Sequence, residues 1–385
     1  LANEIISNAA SVNSDILTKG RQTWCPIKKR SVPSSHAYQN MAELFRVNIG
    51  QSSSNCLEWI QMFHKSIEKN ELRHKAIETV TEEKSRYYPR LKMRVNKVKK
   101  VSKVIRTKTR NTTGNKMCSN LMIDFARSFC SYIKHGERGK LKRRAIASPN
   151  VILRMYLHII EEFHLKLGKT LPGSTISIGG EEKKIKIMSN LSNTGVANYT
   201  DICQVQATED ATKWNECISA ELFYMMHRTL FDPEIREEMG LEPPTESERI
   251  FMQICEEGHF LLAIKMITLG EGPMLVGPVY HRRAEWEKDL ENLNEQTKEW
   301  VTKCLPLMYD GIYLSSSPGM LMGMHNAAST TAALVTGTYN QIPTLTAVAT
   351  LRSSDDSMTL FSGNDISTVA SSIVVNRRSL KLLGV

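Results

Sequence analysis

Two adjacent aspartates interrupt an otherwise apolar stretch near the end of this 385-residue chain. Residues 346–351 (TAVATL) and 358–361 (MTLF) have the composition of short strands, and only RSSDDS separates them. Strands joined by so short a polar turn form a hairpin, which places Asp355 and Asp356 at its tip. Neighbouring carboxylates repel each other unless a cation binds them, so the hairpin indicates a cation site. The alternative is that both aspartates are ordinary turn residues.

A third carboxylate, Asp210, occupies a comparable position earlier in the chain. It follows a run with alternating apolar residues at 201–208, which predicts a strand, and it precedes a helical sequence that contains Asn215. If Asp210 lies beside the hairpin, three carboxylates can hold two divalent ions about 4 Å apart, the arrangement used for in-line phosphoryl transfer. Carboxylate oxygens suit Mg²⁺ or Mn²⁺.

A loop of small residues lies between these acidic segments. Residues 315–326 (SSSPGMLMGMHN) lead into a sequence rich in Ala and Thr. A loop that contains glycine can approach a nucleic-acid backbone closely, and Asn326 would lie one helical face away for a hydroxyl contact. The alternative for its methionines is that they fill the core.

Basic residues are concentrated in two segments. The chain contains 50 Lys and Arg against 40 Asp and Glu, which gives a net charge of +10. Residues 90–110 contain ten basic and no acidic residues, so they account for the whole excess. Their alternation with Val, Met, Leu and Thr predicts a two-stranded ribbon with one basic face, which would bind phosphates or an import receptor. The alternative is a solvated charged hairpin.

The second basic segment, residues 134–144, combines six cations with two glycines and continues into AIASP. Glycines beside cations allow the backbone to approach a polyphosphate closely while the side chains neutralise it. The meaning of this segment depends on the acidic segments that follow it.

Hydrophobic periodicity predicts further elements. The length predicts two to three domains or one large lobed domain. Residues 1–88 have the pattern of helices with polar loops, and 56–67 is the clearest helix among them. The other predicted helices are 116–133, 151–167, one that follows the strand at 201–208 and continues through 226, and 285–303. Residues 170–187, with their glycines, predict a turn-rich β segment.

Cysteine spacing and apolar stretches exclude several protein classes. The eight cysteines form no CxxC pair and no His/Cys group with structural zinc spacing, which predicts an intracellular protein with reduced thiols. The apolar stretches are short and interrupted, as where 261–264 meets Lys265, so no membrane span is expected. Because the chain begins at Leu1 without a charged and apolar leader, we expect a fragment of a longer protein with no secretory signal.

Four segments, in this order, resemble the motifs of one family. GERGKLKRRAIASP, ATEDATKWNE, SSSPGMLMGMHN and SSDD are similar to motifs F, A, B and C of the orthomyxovirus RNA-directed RNA polymerase catalytic subunit (polymerase basic protein one). TKGRQTW and GGEEKKIK also look like that subunit, so the resemblance covers essentially the whole chain. The histidine in motif B and the divergence from influenza indicate a thogotovirus-like member.

The resemblance implies an α+β fold, namely a right-hand nucleic-acid polymerase with fingers and a partial palm and without the thumb. Residues 1–190 would form the N-terminal extension and fingers, including the basic ribbon at about 90–110 and motif F at 134–149. Residues 191–385 would form the catalytic domain, a palm with interleaved fingers. The remaining motifs would be A at 207–216, B at 315–331, C at 352–358 and the start of D at 377–385.

The resemblance also implies roles for individual residues. Asp210, Asp355 and Asp356 would be the catalytic residues that bind two Mg²⁺ or Mn²⁺ ions. The nucleotide-binding residues would be Arg138, Lys140, Lys142, Arg143, Arg144, Asn215, Ser317, Gly319 and Asn326. The promoter-RNA-binding residues would be Arg154, Met155, Tyr156, Leu157, His158, Ile159, Ile160 and Glu161. The nuclear import signal would comprise Lys92, Arg94, Lys97, Lys99, Lys100, Lys108, Arg110 and Lys116.

Two departures from the family pattern concern the catalytic region. Glu209 stands where influenza polymerases carry Gly, and it either tunes metal affinity or points away from the metal site. Residues 377–385 resemble only the beginning of motif D, so Lys381 is not the motif D lysine, and the thumb lies outside this sequence.

The implied reaction is templated nucleotidyl transfer in the transcription and replication of a segmented negative-strand RNA genome. The implied partners are the viral RNA template and promoter, nucleoside triphosphates, the acidic and second basic polymerase subunits, the viral nucleoprotein and host nuclear import factors, with no membrane. The implied locations are the host nucleus, with cytoplasmic transit, and the virion ribonucleoprotein. Without its partner subunits the fragment is expected to be inactive.

Two other functions make different demands on the same residues. A non-catalytic RNA-binding or assembly subunit of a viral ribonucleoprotein would not need the carboxylates. A two-metal nuclease would need the carboxylates but would have no use for cations that face a triphosphate or for a residue that selects the 2′-hydroxyl.

Overall fold

The structure is a computed structural model. It describes residues 1–7, 22–26, 30–33, 36–37, 39–40, 56–69, 71–88, 93–111, 117–133, 145–192, 203–211, 213–269, 273–277, 280–309, 313–314, 316, 318–339, 341 and 346–384. For the strands at 71–88, 93–111, 273–277 and 280–283 the description is limited to the backbone.

Helices and strands alternate irregularly along the described residues. The helices are α1 (Ala2–Ser7), α2 (Cys56–Lys69), α3 (Met117–Ala126), α4 (Val151–Thr170), α5 (Gly180–Ser192), α6 (Trp214–Cys217), α7 (Ala220–Phe231), α8 (Pro233–Glu238), α9 (Glu246–Ala263), α10 (Glu295–Cys304), α11 (Asn326–Gly337) and α12 (Ile366–Lys381). The strands are β1 (Gln22–Cys25), β2 (Arg30–Pro33), β3 (Glu71–Tyr88), β4 (Met93–Asn111), β5 (Ser128–Ile133), β6 (Ala145–Pro149), β7 (Cys203–Asp210), β8 (Met266–Leu269), β9 (Pro273–Gly277), β10 (Tyr280–Arg283), β11 (Met308–Tyr309), β12 (Tyr313–Leu314), β13 (Thr346–Ser353) and β14 (Asp356–Gly363). The α+β class is therefore confirmed.

The core is built around α4. The side chain of Asn150 begins this helix by accepting hydrogen bonds from the amides of Ile152 (2.9 Å) and Leu153 (3.0 Å). Buried residues lie on almost every side of the helix, because other elements surround it. Helices α2, α9 and α11 pack directly against α4, and α7 packs against α9 and α11.

Two larger sheets carry most of the remaining regular structure. The first has the strand order β11-β12-β8-β5-β6, in which β5 and β8 are parallel and the other pairs are antiparallel. The second has the order β13-β14-β7 and is entirely antiparallel. Helix α12 packs against all three strands of this second sheet, and α11 packs against β13.

The cysteines whose side chains the structure describes are free thiols. No helix there combines the length and the apolar character that crossing a membrane requires.

Several predictions that rest on local pattern are confirmed. The predicted hairpin is formed by β13 and β14, which two residues connect, and the strand before Asp210 is β7. The helices predicted at 56–67 and 151–167 are α2 and α4, each two or three residues longer.

Other predictions from local pattern are wrong. Residues 116–133 are not one helix, because 128–133 form β5, which pairs with both β6 and β8. Residues 170–187 are not a β segment, because α5 begins at Gly180. The helix predicted after β7 is divided into α6 and α7. The helix predicted at 285–303 begins only after Asn294, whose side chain accepts a hydrogen bond from the amide of Thr297 at 2.8 Å.

The basic ribbon is confirmed as β structure but has a different partner. The basic strand β4 pairs along its length with β3, so residues 90–110 do not form both strands, and 71–88 are not helical. The register places Glu78 opposite Lys103 and Glu82 opposite Lys99. The same register places Lys84 opposite Lys97, and the composition of 90–110 alone could not reveal that the partner strand is β3.

Four histidines from distant parts of the chain meet in the core. His164, His227, His259 and His325 are each at most 1% exposed, and successive ring centroids lie 5.0 to 5.1 Å apart. Burial lowers the pKa of His164 and His259 well below the usual value and lowers the pKa of His227 to about 3. These three side chains are therefore neutral at neutral pH.

Because these histidines are buried in their neutral form, we expect acid to destabilise the fold. A histidine whose pKa is lowered by folding takes up its proton only in the unfolded state. Such a histidine therefore leaves the free energy of unfolding unchanged above its ordinary pKa of 6.5, and it lowers that free energy increasingly as the pH falls toward the pKa of the folded state. Between about pH 7.5 and about pH 5, each such residue lowers the free energy of unfolding by about 2 kcal/mol.

Chemical denaturation of the wild type and His259→Phe at these two pH values measures this effect. The substitution keeps an aromatic ring between Phe223 and His227 but removes the titratable group, so the variant should lose about 2 kcal/mol less on acidification. His64, whose pKa is raised by its hydrogen bond to Glu257, contributes equally to both proteins. An identical loss in wild type and variant would contradict the prediction.

Candidate active site

The antiparallel pair β7 and β14 brings two of the three aspartates together. In its register Asp356 is directly opposite Asp210, and Asp356 is also opposite Ser353 of β13. Directly opposite residues of an antiparallel pair project from the same face of the sheet, so both carboxylates lie on one face, at the end of β7. Like charges in this position repel each other in the absence of a cation.

The turn that carries Asp355 is strained and firmly held. Ser354 has a φ of 58°, a conformation that favours glycine in two-residue hairpin loops. Such a conformation costs about 1–3 kcal/mol, which neighbouring contacts must offset. The Ser354 amide donates a hydrogen bond to Thr330 Oγ1 at 2.8 Å, and the hydroxyls of Ser329 and Ser354 lie 3.3 Å apart. Helix α11 therefore holds the turn in place.

A cavity of about 380 Å³ lies on the face that bears Asp210 and Asp356. Thr175, Lys183 and Ile187, which belong to α5 and the segment before it, form another part of its wall. Two backbone hydrogen bonds of 2.8 and 3.0 Å attach that segment to β13. The cavity therefore combines the carboxylates of Asp210 and Asp356, together with Glu209 at its border, with one amine, a set of groups that can contact both a cation and an anion.

Glu209 directs its carboxylate away from Asp210. Successive residues of a strand point to opposite faces, and the Glu209 carboxylate forms an ion pair with Arg377 of α12 at 3.0 Å. Glu209 also borders the cavity along the strand, but its charge is engaged with Arg377. Arg377 is 65% exposed, so the pair contributes little to stability. Of the two alternatives for Glu209, the structure supports the one in which it points away.

A buried cation, Arg352, lies behind the acidic turn. Its guanidinium lies 5.4 Å from the centre of the Trp214 ring of α6 and donates a hydrogen bond to the Ser354 carbonyl at 3.3 Å. Burial lowers the pKa of Arg352, while the charges of Glu209 and Asp355 oppose this change. An arginine remains charged under these conditions, so Arg352 partly neutralises the acidic turn and joins it to α6.

The loop at 318–325 lies directly on α6. The Leu321 amide donates a hydrogen bond to the Asn215 carbonyl at 3.2 Å. Gly319 permits this approach, because a Cβ at its position would lie 2.4 Å from the carbonyl oxygens of both Asn215 and Glu216. The structure thus brings Asn215 and Gly319 together, whereas Asn326 is the exposed first residue of α11.

The acidic side chains fit a hard divalent cation that also binds substrate oxygens. Mg²⁺ in phosphoryl-transfer sites commonly uses one or two carboxylates together with phosphates and water. The part of the chain that the structure describes contains no group of three or more His, Cys, Asp or Glu side chains placed to hold a metal. Asp210 and Asp356 supply two carboxylates on one face, which is the number that such a site requires.

Several predicted site residues lie outside the side chains that the structure describes. Those outside the described residues are Lys92, Lys116, Arg138, Lys140, Lys142, Arg143, Arg144 and Ser317. Those in β4, of which only the backbone is described, are Arg94, Lys97, Lys99, Lys100, Lys108 and Arg110. The motif F cations belong to the connection between β5 and β6.

Most of the predicted promoter-binding residues are core residues of α4. The buried members are Met155, Tyr156, Leu157, Ile159 and Ile160, none more than 5% exposed. Arg154, His158 and Glu161 are partly exposed. RNA would therefore reach this segment only through these three side chains.

Four core histidines and Lys265 are buried polar residues that were not predicted from the sequence. The four core histidines have no spacing pattern that would have predicted their contact. Lys265 is 5% exposed, and burial lowers its pKa to about 8, although Glu221 opposes this change. It immediately precedes β8, the parallel neighbour of β5, which leads into the motif F segment. Its position within the apolar run FLLAIKMITL was the available signal.

Comparison with known families identifies the family of this chain. The family model described as influenza RNA-dependent RNA polymerase subunit PB1 matches residues 1–385. The match extends over the segments that resemble motifs F, A, B and C, and it confirms the family that they indicated. The chain therefore belongs to the influenza RNA-dependent RNA polymerase subunit PB1 family and is a viral RNA-dependent RNA polymerase subunit.

Proposed function

We propose that this chain carries the catalytic residues of its polymerase and copies a segmented negative-strand RNA genome by two-metal nucleotidyl transfer. The observation that carries the proposal is the register of β7 and β14, in which Asp210 and Asp356 are direct partners beside Asp355. Paired like charges weaken a sheet unless a cation binds between them, so this arrangement is best explained by a metal-binding role. Membership of the polymerase family supports the same conclusion.

In this proposal Asp210, Asp355 and Asp356 hold two Mg²⁺ or Mn²⁺ ions. When bound, these ions lower the pKa of the 3′-hydroxyl that attacks the α-phosphate and neutralise the pyrophosphate that leaves. The chain supplies no nucleophile of its own. Its contribution is to hold the carboxylates in place, which it does through β7, β14 and the contacts between Ser354 and α11.

In the same proposal, three sets of groups bind the nucleotide. The triphosphate contacts the cations of motif F, which are Arg138, Lys140, Lys142, Arg143 and Arg144. Asn215 contacts the ribose 2′-hydroxyl, which distinguishes RNA from DNA. The loop that contains Ser317 and Gly319, together with Asn326, responds to the bound nucleotide, and the packing of Gly319 on α6 supports this assignment.

The remaining assignments concern organisation and partners. Residues 1–190 form the N-terminal extension and fingers, and 191–385 form the palm with interleaved fingers. Arg154, His158 and Glu161 contact promoter RNA, and the basic strand β4 binds host import factors for entry into the nucleus. The acidic and second basic polymerase subunits and the nucleoprotein complete a thogotovirus-like ribonucleoprotein that also occurs in virions. The isolated chain is inactive without these subunits.

Loss of the metal-binding carboxylate should abolish RNA synthesis. We expect Asp355→Ala, in the assembled three-subunit polymerase, to reduce primer extension by about three orders of magnitude or more in Mg²⁺ and in Mn²⁺, because the phosphoryl transfer then lacks an ion ligand. RNA binding should be retained. The matched control is Glu238→Ala, which removes an exposed acid from α8 and should leave extension unchanged.

Three results of this experiment distinguish the candidate functions. Extension abolished with RNA binding intact supports the polymerase. Unchanged extension by Asp355→Ala would favour an RNA-binding or assembly subunit whose hairpin is only a turn. RNA cleavage without extension by the wild type would favour a two-metal nuclease.

The orientation of Glu209 predicts a mild effect for its neutralisation. Glu209→Gln removes a half-exposed ion pair with Arg377, so the free energy of unfolding should fall by less than about 1 kcal/mol. The Mg²⁺ concentration for half-maximal extension should not change, because the carboxylate is directed to the other face. A clear shift in that midpoint would show instead that Glu209 tunes metal affinity.

The close contact of Gly319 with α6 predicts that this position tolerates no side chain. Gly319→Ala places a Cβ against two backbone carbonyls that cannot rotate away, and overpacking of this kind costs about 1–3 kcal/mol. We expect the loop to separate from Asn215 and primer extension to fall at least about tenfold. Gly180→Ala is the matched control, because its Cβ would meet nothing within 4 Å. Equal activity of the two variants would contradict the proposed role of the loop.

A further inference from the structure

Helix α11 begins without a cap from its own preceding residue and receives one from α4 instead. His325 makes no capping hydrogen bond with its side chain. The carboxylate of Glu161 accepts hydrogen bonds from the amides of Ala327 (2.8 Å) and Ala328 (3.1 Å). The first amides of a helix have no partner within the helix, so Glu161 satisfies groups that would otherwise be unpaired and attaches the start of α11 to α4.

A chain of buried hydrogen bonds attaches the next turn of α11 to α4 and α7. The Phe223 carbonyl can only accept, so His227 Nδ1 donates to it at 2.6 Å, and the neutral ring then accepts at Nε2. His164 Nε2 therefore donates to His227 Nε2 at 2.8 Å, which leaves His164 Nδ1 as an acceptor. Thr331 Oγ1 lies 3.0 Å from that nitrogen and 3.2 Å from the Ala327 carbonyl, so its single proton is shared between two acceptors. The tautomer of each ring is thus determined by the Phe223 carbonyl.

The neighbouring residues of α11 face the acidic turn. Thr330 Oγ1 donates to the Asn326 carbonyl at 2.8 Å and accepts from the Ser354 amide at 2.8 Å. Ser329 donates to the Asn326 carbonyl at 3.0 Å, and its hydroxyl lies 3.3 Å from that of Ser354. Ser354 is the residue with positive φ that immediately precedes Asp355. Consecutive residues of one helix turn therefore contact the buried histidine pair and the acidic hairpin.

We propose that α11 is a strut between α4 and the acidic turn, in which Glu161, His164 and Thr331 act as positioning residues for Asp355 and Asp356. This inference rests on the proposed function, because it assigns the strut to the metal-binding carboxylates. A displacement of α11 relative to α4 would move Thr330 and with it the strained Ser354. Misplacement of reacting groups by about 1 Å can reduce a rate by about a hundredfold, so small changes in the strut should be measurable.

Thr331→Val is the most direct test, because it is nearly isosteric and removes the hydroxyl that contacts both His164 and the Ala327 carbonyl, and Thr336→Val controls for the loss of a bond to a helix carbonyl. The assembled polymerase is compared at equal numbers of active sites, and kcat and the Mg²⁺ midpoint of primer extension are measured. We expect kcat to fall about tenfold and the Mg²⁺ midpoint to rise several-fold, because the carboxylates are misplaced. The KM for the nucleotide should change less than kcat, because Asn215 and the proposed motif F cations do not belong to α11.

Two control variants separate positioning from simple stability. Thr331→Ser keeps a hydroxyl at the position and should restore both kcat and the Mg²⁺ midpoint. Thr336→Val removes another half-buried hydroxyl from the same helix, one that bonds only to the Ala332 carbonyl at 2.7 Å, and should leave both quantities unchanged. A merely structural contribution would reduce the number of active molecules without altering the Mg²⁺ midpoint.

The outcomes distinguish the strut from the proposed function. If Asp355→Ala abolishes extension while Thr331→Val leaves kcat and the Mg²⁺ midpoint unchanged, the strut is disproved and the proposed function stands. If Asp355→Ala extends RNA normally, the proposed function fails and the strut with it. If Thr331→Val does not assemble into the polymerase, Glu161→Gln is the second test variant. Its Mg²⁺ midpoint is measured on a primer and template without promoter sequence, because Glu161 is also proposed to contact promoter RNA. A raised Mg²⁺ midpoint then supports the strut, and an unchanged one overturns it.

Discussion

Repulsion between two carboxylates at the end of one sheet is the constraint on which the other features of this chain depend. The pairing of β7 with β14 places Asp210 and Asp356 opposite each other, and the two-residue turn adds Asp355 beside them. No hydrophobic gain explains such an arrangement, and the turn itself requires an unfavourable φ at Ser354. The surrounding contacts therefore serve to hold a local structure that would otherwise rearrange.

The two faces of the β13-β14-β7 sheet have different roles. One face presents the paired carboxylates to a cavity whose opposite wall includes Lys183. The other face is covered by helices and carries Arg352, which lies against Trp214, and the exposed ion pair of Glu209 with Arg377. This division explains how an additional acid next to Asp210 is tolerated, since its charge is engaged on the far side.

The core that supports the sheet is more polar than a helical core needs to be. Histidines replace aliphatic packing where α4, α7, α9 and α11 meet, and two of them form a hydrogen bond that has only one arrangement of protons. An apolar core would be more stable in acid but would not determine the relative position of the helices as strictly. In this chain α7 follows the segment that resembles motif A, and α11 begins within the segment that resembles motif B. Specific polar contacts between them therefore have a direct bearing on the geometry of the site.

Predictions from the sequence were accurate where short-range pattern decides the structure. The apolar periodicity of α4, the alternation in β7 and the polar turn between β13 and β14 identified these elements, and the order of four motifs identified the family. They failed where a partner distant in sequence decides. Residues 128–133 became a strand because β6 and β8 supply hydrogen bonds on both sides, and β4 paired with β3, a partner outside the basic segment.

The sequence by itself determined which residues carry charge, where the acidic hairpin and its neighbouring strand lie, and to which family the chain belongs. Only the tertiary structure decided that Asp356 is the direct partner of Asp210, that Glu209 points to the other face, and that most of residues 154–161 are buried. The contact of α11 with both His164 and Ser354 was likewise decided only by the tertiary structure. The reason is physical: strand register, burial and hydrogen-bond partners depend on residues that are far apart in the chain, and local propensity contains no information about them.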